Sequence, residues 1–328
     1  MQSTQINIEN SSNIEGLNEV ENKPKKKLSY SKWGYIFIAS FFVIYLIFTL
    51  VPQLLTIYDS FFDYDPFSGK LVTDAHPEFC GFLNYQRLFQ ENALGVIEIY
   101  QTIGNTLIMW IIGAIPQMVI ALILALIFTS TRLKLKGTGF FKTAFYMPNL
   151  IMASAFSALF LMLFSQIGPV YTLFKDMGWI PEHFDFVVNK TSARLMVAFL
   201  NFIMWFGNTT ILLMAGIQSI DESIFESARI DGASTRRVLF DMTLPLLKPI
   251  VVYVLITSMI GGLQMFDVPQ VLTNKAKNTG TRTIIMLLND YLNMKNYGRA
   301  GAISVILFII TAVLSIFVFK TINKKEDR

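Results

Sequence analysis

The residues with the clearest chemical pattern lie in a polar stretch, 219–250, between two long apolar runs. Asp221 or Ser219 can cap a short helix there, because a side-chain oxygen accepts hydrogen bonds from the first free backbone N–H groups. Gly232 can end that helix, and Ser234 can cap a second one. A helix of about ten residues is marginal in water alone, so the pattern predicts non-covalent docking on a partner surface.

A second set of chemically useful residues lies inside two apolar runs. Asn201, Trp205 and Asn208 recur at helical spacing and therefore share one helix face, while Ser258 and Gln264 belong to the next run. Buried amides and hydroxyls need partners or a wet cavity. Hydrogen bonding by neutral groups beside an aromatic ring suits a sugar-like solute. Helix–helix packing by buried amides is the alternative interpretation.

Six charge-free windows indicate the elements that position these residues. The chain is 53% hydrophobic and 15% charged, and the shortest window would span about 27 Å as a helix, close to the thickness of a bilayer core. The pattern therefore predicts an all-α integral membrane protein with six transmembrane helices. The windows are residues 33–58, 99–131, 143–174, 195–220, 249–266 and 300–319.

More detailed expectations concern the individual spans. We expect the second span to be interrupted at Gly113 and Pro116, the third to start near Ala144, and the fifth to start near Pro249. Residues 166–194, between the third and fourth spans, should hold short helical pieces at most.

The distribution of Lys and Arg predicts the orientation. Most of the 27 basic residues fall in the N-terminal tail, the connection after the second span, the 219–250 loop and the C-terminal tail. Basic connections remain in the cytoplasm, so both termini should lie inside the cell. The net charge of +4 reflects this asymmetry, and nucleic acid is not an expected partner.

Three ordered segments of the polar loop carry a family resemblance: Glu226-Ser227-Ala228, Asp231-Gly232-Ala233 and Thr243-Leu244-Pro245-Leu246-Leu247. This string resembles the EAA loop in permease subunits of binding-protein-dependent ABC importers, of the carbohydrate-uptake type found in maltose and multiple-sugar transporters. An ordinary amphipathic loop between spans is the alternative. Two other segments are also similar to the family: Gly81-Phe82-Leu83-Asn84-Tyr85 and Gly298-Arg299-Ala300-Gly301-Ala302. The chain departs from the family in two places. The family usually has Gly-Gly-Pro where this chain has Asn274-Lys275-Ala276-Lys277, and it usually has proline where this chain has Asp221.

The resemblance implies a type I importer permease fold and a set of partners. These are a cytoplasmic ATP-binding subunit, a second permease subunit that is a different chain, an extracellular solute-binding protein and the lipid of a bacterial cell membrane. Glu226 would pair with a basic group of the ATPase. The cleft of the ATPase would be filled by Ile224, Phe225 and Ala228. Gly232 would set the angle between two short helices. The implied coupling residues are Ile224, Phe225, Glu226, Ala228, Asp231, Gly232, Leu244 and Pro245.

Composition, charge pattern and the resemblance together divide the chain. We expect a disordered cytoplasmic tail at 1–32, which begins with a polar stretch rich in Asn, Glu and Ser, a first span at 33–58, an external loop at 59–97, the importer transmembrane domain at 98–320 and a cytoplasmic C-terminal tail at 321–328.

Several functional classes are disfavoured by what the sequence omits. The charge-free windows hold no acid or base for ion coupling, and the chain has no GxxxxGK[ST] motif for ATP. Cys80 is the single cysteine, and His76 and His183 fall in predicted external loops, so no disulfide, metal or cofactor is expected. A membrane-embedded enzyme is disfavoured, because the predicted spans supply no His, Asp, Glu or Cys for catalysis. Uptake of an anion such as glycerol phosphate, and a regulator without transport, remain alternatives.

Overall fold

The computed structural model describes residues 31–64, 77–92, 95–130, 136–273 and 280–323. Predictions about most of the N-terminal tail, Arg132, His76, Asn274–Lys277 and the last five residues fall outside these ranges. The chain divides into two units, residues 1–54 and 55–328, which are described separately.

The first unit is helical throughout its described part. Helix α1 spans Ser31–Tyr45 and is followed by a π-helical turn, Leu46–Leu50. Pro52 is the second residue of the next helix and has no N–H to donate. The helix is widened just before it, where the Val51 N–H bonds to the carbonyl of Leu46. This apolar helix continues to Asp59 as α2, Val51–Asp59, and agrees with the predicted first span.

The second unit contains the remaining long helices. They are α4 (Glu98–Thr129), α8 (Lys190–Gln218), α11 (Leu244–Leu263) and α14 (Tyr297–Asn323). Within the described residues, five helices are long and apolar enough to cross a membrane, or six when one bent pair counts as a single span. This agrees with the six predicted spans.

The bent pair stands where the third span was predicted. Helices α5 (Thr138–Leu150) and α6 (Ala153–Leu163) meet at 92°. The expected start near Ala144 is therefore wrong by about two turns, because helix α5 begins directly after Gly137, which has a φ of 78°. A broken span of this kind leaves backbone groups that neighbouring helices must satisfy. Near the break, the Asn149 side chain joins α5 to α8, since its Nδ2 donates to the carbonyl of Met204 at 3.1 Å.

Proline positions explain two further corrections. The second span is not interrupted, because α4 continues through Pro116 as one helix of 32 residues. The fifth span does not start near Pro249, since α11 begins at Leu244 with Pro245 in its first turn, where no N–H is required. Pro249 lies inside the helix.

Short elements connect the long helices. Strands β1 (Phe62–Asp63) and β2 (Glu78–Phe79) form a small antiparallel pair, which is the described exception to the all-α prediction. Helices α3 (Leu83–Leu88), α7 (Pro169–Asp176), α12 (Asp267–Thr273) and α13 (Ile284–Asn293) occupy predicted external connections. Between α8 and α11 lie α9 (Glu222–Ile230), α10 (Thr235–Arg237) and a π-helical turn, Val238–Thr243.

Candidate functional site

The polar loop folds as two capped helices, as its sequence predicts. Helix α9 is capped by Asp221, whose Oδ1 accepts a hydrogen bond from the Ser223 N–H at 2.9 Å. The same bond stabilises the charged carboxylate and lowers the pKa of Asp221 below its ordinary value. Helix α10 is capped by Ser234, which accepts from the Arg237 N–H at 3.3 Å.

Gly232 ends α9 in the manner that its sequence position indicates. Its φ is +74°, in the left-handed region that favours glycine. The Gly232 N–H bonds to the carbonyl of Arg229 at 3.1 Å, and the Ala233 N–H bonds to that of Ala228 at 2.9 Å. These two bonds form a Schellman motif, and a Cβ added at Gly232 would meet nothing within 4 Å.

The apolar face of α9 points toward the chain's own body. Ala228 is 4% exposed, and Phe225 is half-buried. The expectation that Ala228 fills a partner's cleft therefore does not fit this structure, because its methyl group is already packed internally. Ile230, which the sequence reasoning passed over, is 86% exposed on the opposite face. Glu226 lies on that same outward face and is also exposed.

A continuous helix connects the loop to the membrane-spanning part. Residues 235–263 are helical without a break and include the π-helical turn. In that turn the Thr243 hydroxyl donates to the carbonyl of Val238 at 3.0 Å, which supplies a bond in the widened turn. No break in the helix therefore separates the polar loop from α11.

A cavity of about 420 Å³ lies behind α9. Phe225 and Arg229 of α9, Leu126 at the end of α4, and Val238 and Leu239 of the π-helical turn contribute to its lining. Open space behind a short helix allows that helix to move relative to the bundle.

A second cavity, which we call the polar cavity, lies where α4, α8 and α11 meet, and has a volume of about 190 Å³. Asn201, Trp205 and Asn208 of α8 and Ser258 of α11 line it together, as their spacing suggests. Gln264 is not part of the lining, because it follows the last residue of α11.

The lining combines neutral hydrogen-bonding groups with aromatic rings. Its described residues include no Asp, Glu, Lys, Arg or His. The polar members are Gln117, Asn201, Asn208, Thr209, Thr257 and Ser258, and the rings are Trp110, Trp205 and Tyr253. Within the described part of the chain, the Asn208 amide has no hydrogen-bond partner, so it is available to a solute.

Hydrogen bonds fix parts of the wall. Gln117 donates through Nε2 to the Thr209 hydroxyl at 2.8 Å, which joins α4 to α8. Trp110 donates through Nε1 to Ser258 Oγ at 3.4 Å, which joins α4 to α11. The sequence reasoning missed Trp110 and Gln117, although they recur at helical spacing inside a charge-free window and carried the same signal as Asn201 and Asn208.

Two glycines set how closely the wall packs. A Cβ at Gly113 would lie 2.9 Å from the carbonyl oxygen of Ala198, so α4 and α8 approach at this point through backbone alone. A Cβ at Gly262 would lie 2.0 Å from the Trp110 ring. The indole therefore occupies space that any other residue at 262 would need.

The long apolar helices and the bent pair define a multi-pass integral membrane protein. The chain is 27% identical over 304 residues to the lactose transport system permease protein of Rhizobium radiobacter, with 92% of this chain and 97% of that protein covered. It is 28% identical over 301 residues to the arabinooligosaccharides transport system permease protein of Bacillus subtilis, with 90% of each covered. Its fold resembles the crystal structure of a bacterial ABC transporter involved in the import of the acidic polysaccharide alginate, with a TM-score of 0.71, 19% identity, and 89% of this chain and 95% of that chain covered.

The family profile of binding-protein-dependent transport system inner membrane components matches residues 103–325. The chain belongs to this family. It is a membrane-embedded transport component and not an enzyme, in agreement with the resemblance drawn from its polar loop.

Proposed function

We propose that this chain is the permease subunit of an ABC importer that moves a neutral sugar or oligosaccharide across a bacterial cell membrane. The observation that carries the proposal is the polar cavity, where neutral amides and hydroxyls lie beside aromatic rings. Sugars bind by hydrogen bonding through their hydroxyls and by stacking their apolar faces on rings. The names of the two relatives support this substrate class.

An anionic solute such as glycerol phosphate fits less well. A phosphate is best bound by Arg or Lys, and the described lining of the polar cavity contains neither. A basic side chain to bind the phosphate would have to come from another subunit.

The orientation that we propose places both termini and the polar loop in the cytoplasm. Its support is the excess of Lys and Arg in alternate connections, which include Lys136, Lys142, Arg236, Arg237 and Lys248. With this orientation, the polar cavity lies between the loop and the extracellular ends of α4 and α8.

The energy source that we propose is a separate cytoplasmic ATPase that docks on α9. The outward residues available for docking are Ile224, Glu226, Ile230, Asp231 and Gly232. Leu244 and Pro245 begin α11, the helix that would carry the movement into the membrane. A second permease subunit and an extracellular solute-binding protein complete the proposed importer.

The test of the substrate class is uptake by the assembled importer carrying Trp205→Ala. Trp205 lines the polar cavity and is 48% exposed, so its removal should lower sugar uptake or alter sugar selectivity while the complex still assembles. Phe199→Ala is the matched control, since Phe199 lies on the same helix, is 47% exposed and does not line the cavity. Normal uptake of every candidate sugar by Trp205→Ala would show that the cavity does not bind the solute.

A further inference from the structure

Residues 280–284, which we call the latch segment, lie against the N-terminal parts of α4 and α8, within the first three turns. Arg194 of α8 donates through Nε to the carbonyl of Gly280 at 2.7 Å. Asn105 of α4 donates through Nδ2 to the carbonyl of Arg282 at 3.0 Å. The Arg194 guanidinium also donates to Asn105 Oδ1, so a single polar network joins both helices to the segment.

The far end of the latch segment is fixed by two more bonds. The Ile284 N–H donates to the Thr106 hydroxyl at 3.2 Å, and the Thr283 hydroxyl donates to the carbonyl of Met265 at 2.9 Å. The three side chains at 106, 281 and 283 are all fully buried threonines. Met265 itself lines the polar cavity, so the segment is bonded to the cavity wall.

The position of these bonds shows which end of the cavity they cover. Thr106 lies one turn before Trp110 on α4, about 6 Å along the axis, and Arg194 lies two turns before Asn201 on α8. Both positions are on the side of the cavity away from the polar loop. In this structure the latch segment therefore covers that end.

Ion pairs hold the outer surface of the segment. The Arg282 guanidinium lies 3.3 Å from Glu98 at the start of α4 and 2.7 Å from Asp290 of α13. The Arg282 and Glu98 side chains are each 32% exposed. Pairs with this exposure are weakened by salt, unlike the buried threonine bonds.

We propose that Arg194 and Arg282 are positioning residues of an outer latch, and that its ion pairs limit how often the importer opens outward without its binding protein. This inference rests on the function proposed above. Outward opening must expose the covered end of the polar cavity, and the latch segment cannot leave it while these bonds persist. The bonds therefore stabilise the closed arrangement relative to the open one.

The principal test is ATP hydrolysis by the complete importer in lipid nanodiscs, measured without the solute-binding protein. Arg282→Gln removes both ion pairs and should raise this basal rate roughly threefold to tenfold. Added salt should raise the basal rate of the wild type more than that of the variant, because only the wild type retains the pairs. Lys175→Gln is the control, since it breaks an exposed ion pair of 2.8 Å with Glu182 in a different loop, and its basal rate should match the wild type.

Asp290→Asn provides a second variant in case Arg282→Gln does not reach the membrane. It removes one of the two pairs, so it should change the basal rate in the same direction by a smaller factor. An unchanged basal rate and unchanged salt response in the variant that assembles would overturn the latch.

A cross-link tests the latch independently. In a Cys80→Ser background, the pair Thr106→Cys and Ile284→Cys should form a disulfide on oxidation, stop uptake, and regain it on reduction. Normal uptake with the bond formed, or no recovery of uptake on reduction, would contradict the proposal. Both results remain distinct from failure of the proposed function, which would show as a wild-type importer whose ATP hydrolysis does not respond to any sugar-loaded binding protein.

Discussion

The polar loop and the wall of the polar cavity are stabilised in opposite ways. In the loop, each capping bond joins residues a few positions apart, as between Asp221 and Ser223. In the wall, Gln117 and Thr209 are 92 positions apart, and they meet only because α4 packs along α8. The loop can therefore keep its form while its surroundings move, whereas the wall exists only in the assembled bundle.

Exposure follows the same division. The outward face of α9 carries Glu226 and Ile230 to the surface, while Thr209 in the wall is buried. A substitution on the exposed face of the loop should thus affect partners first, and a substitution at a buried position of the bundle should affect folding first. The following predictions test that distinction.

The largest effect should come from Glu226→Lys. If this exposed carboxylate pairs with a base of the ATPase, reversing its charge leaves the partner charge uncompensated and should cost roughly 3–5 kcal/mol of docking free energy. We expect normal levels of the protein in the membrane, with loss of ATPase co-purification and of uptake. Asp176→Lys, an exposed acid in another loop, is the control. Wild-type co-purification by Glu226→Lys would exclude this face of α9 as the docking surface.

The packed bundle should respond differently, and Gly207→Ala tests it on the side of α8 that faces α5. A Cβ at Gly207 of α8 would lie 1.9 Å from the carbonyl oxygen of Phe145 in α5, and backbone cannot move aside as a side chain can. Overpacking of this kind costs about 1–3 kcal/mol, and here the upper end is expected. The measurement is membrane level and the midpoint of thermal unfolding in detergent.

Gly104→Ala is the matched control for that experiment. A Cβ at Gly104 of α4 would meet nothing within 4 Å, so alanine should be neutral or stabilise the helix by up to about 1 kcal/mol. Equal midpoints for the two variants would mean that α5 does not approach α8 as closely as described.

A smaller effect is expected for the hydrogen bond of the wall. Gln117→Leu removes the donor to the buried Thr209 hydroxyl and should cost about 1–3 kcal/mol of unfolding free energy. Adding Thr209→Val removes the stranded hydroxyl as well, so the double variant should recover much of that loss. Thermal unfolding of the single and double variants measures the coupling, and strictly additive losses would contradict a direct bond.

The smallest effect should come from Asp221→Ala, which removes the cap of α9. Amide exchange over residues 222–230 should become roughly threefold to tenfold faster, while Asp221→Asn retains the cap and should change little. Because the pKa of Asp221 is lowered on folding, its contribution is present above the unfolded value of 3.8 and lost only as pH falls through the lowered value. The ratio of amide exchange rates between Asp221→Ala and Asp221→Asn should thus be constant from about pH 6 to 8. A marked change in that interval would assign the effect to another group.

The sequence predicted the loop well because its determinants are local. Asp221, Gly232 and Ser234 each act on residues within a turn, so their types alone indicate the caps and the chain reversal. The direction of the apolar face was harder to assign. Ala228 was expected to face a partner and instead faces inward, since a periodic pattern identifies a face without showing what covers it.

The spans were predicted in number but not in shape. Charge-free length does not distinguish a straight helix from α5 and α6, which meet at 92°. Proline was also an ambiguous signal, since Pro116 lies within a continuous α4. The latch segment gave no pattern at all, because its partners Asn105 and Arg194 are distant in sequence.

The contact between Gly262 and Trp110 has an evolutionary consequence. Because the indole occupies the place of a missing methyl group, substitution at position 262 would displace a ring before it displaced any backbone. The shape of the polar cavity can thus diverge among descendants of this chain through a single codon, while the helices that surround it keep their spacing.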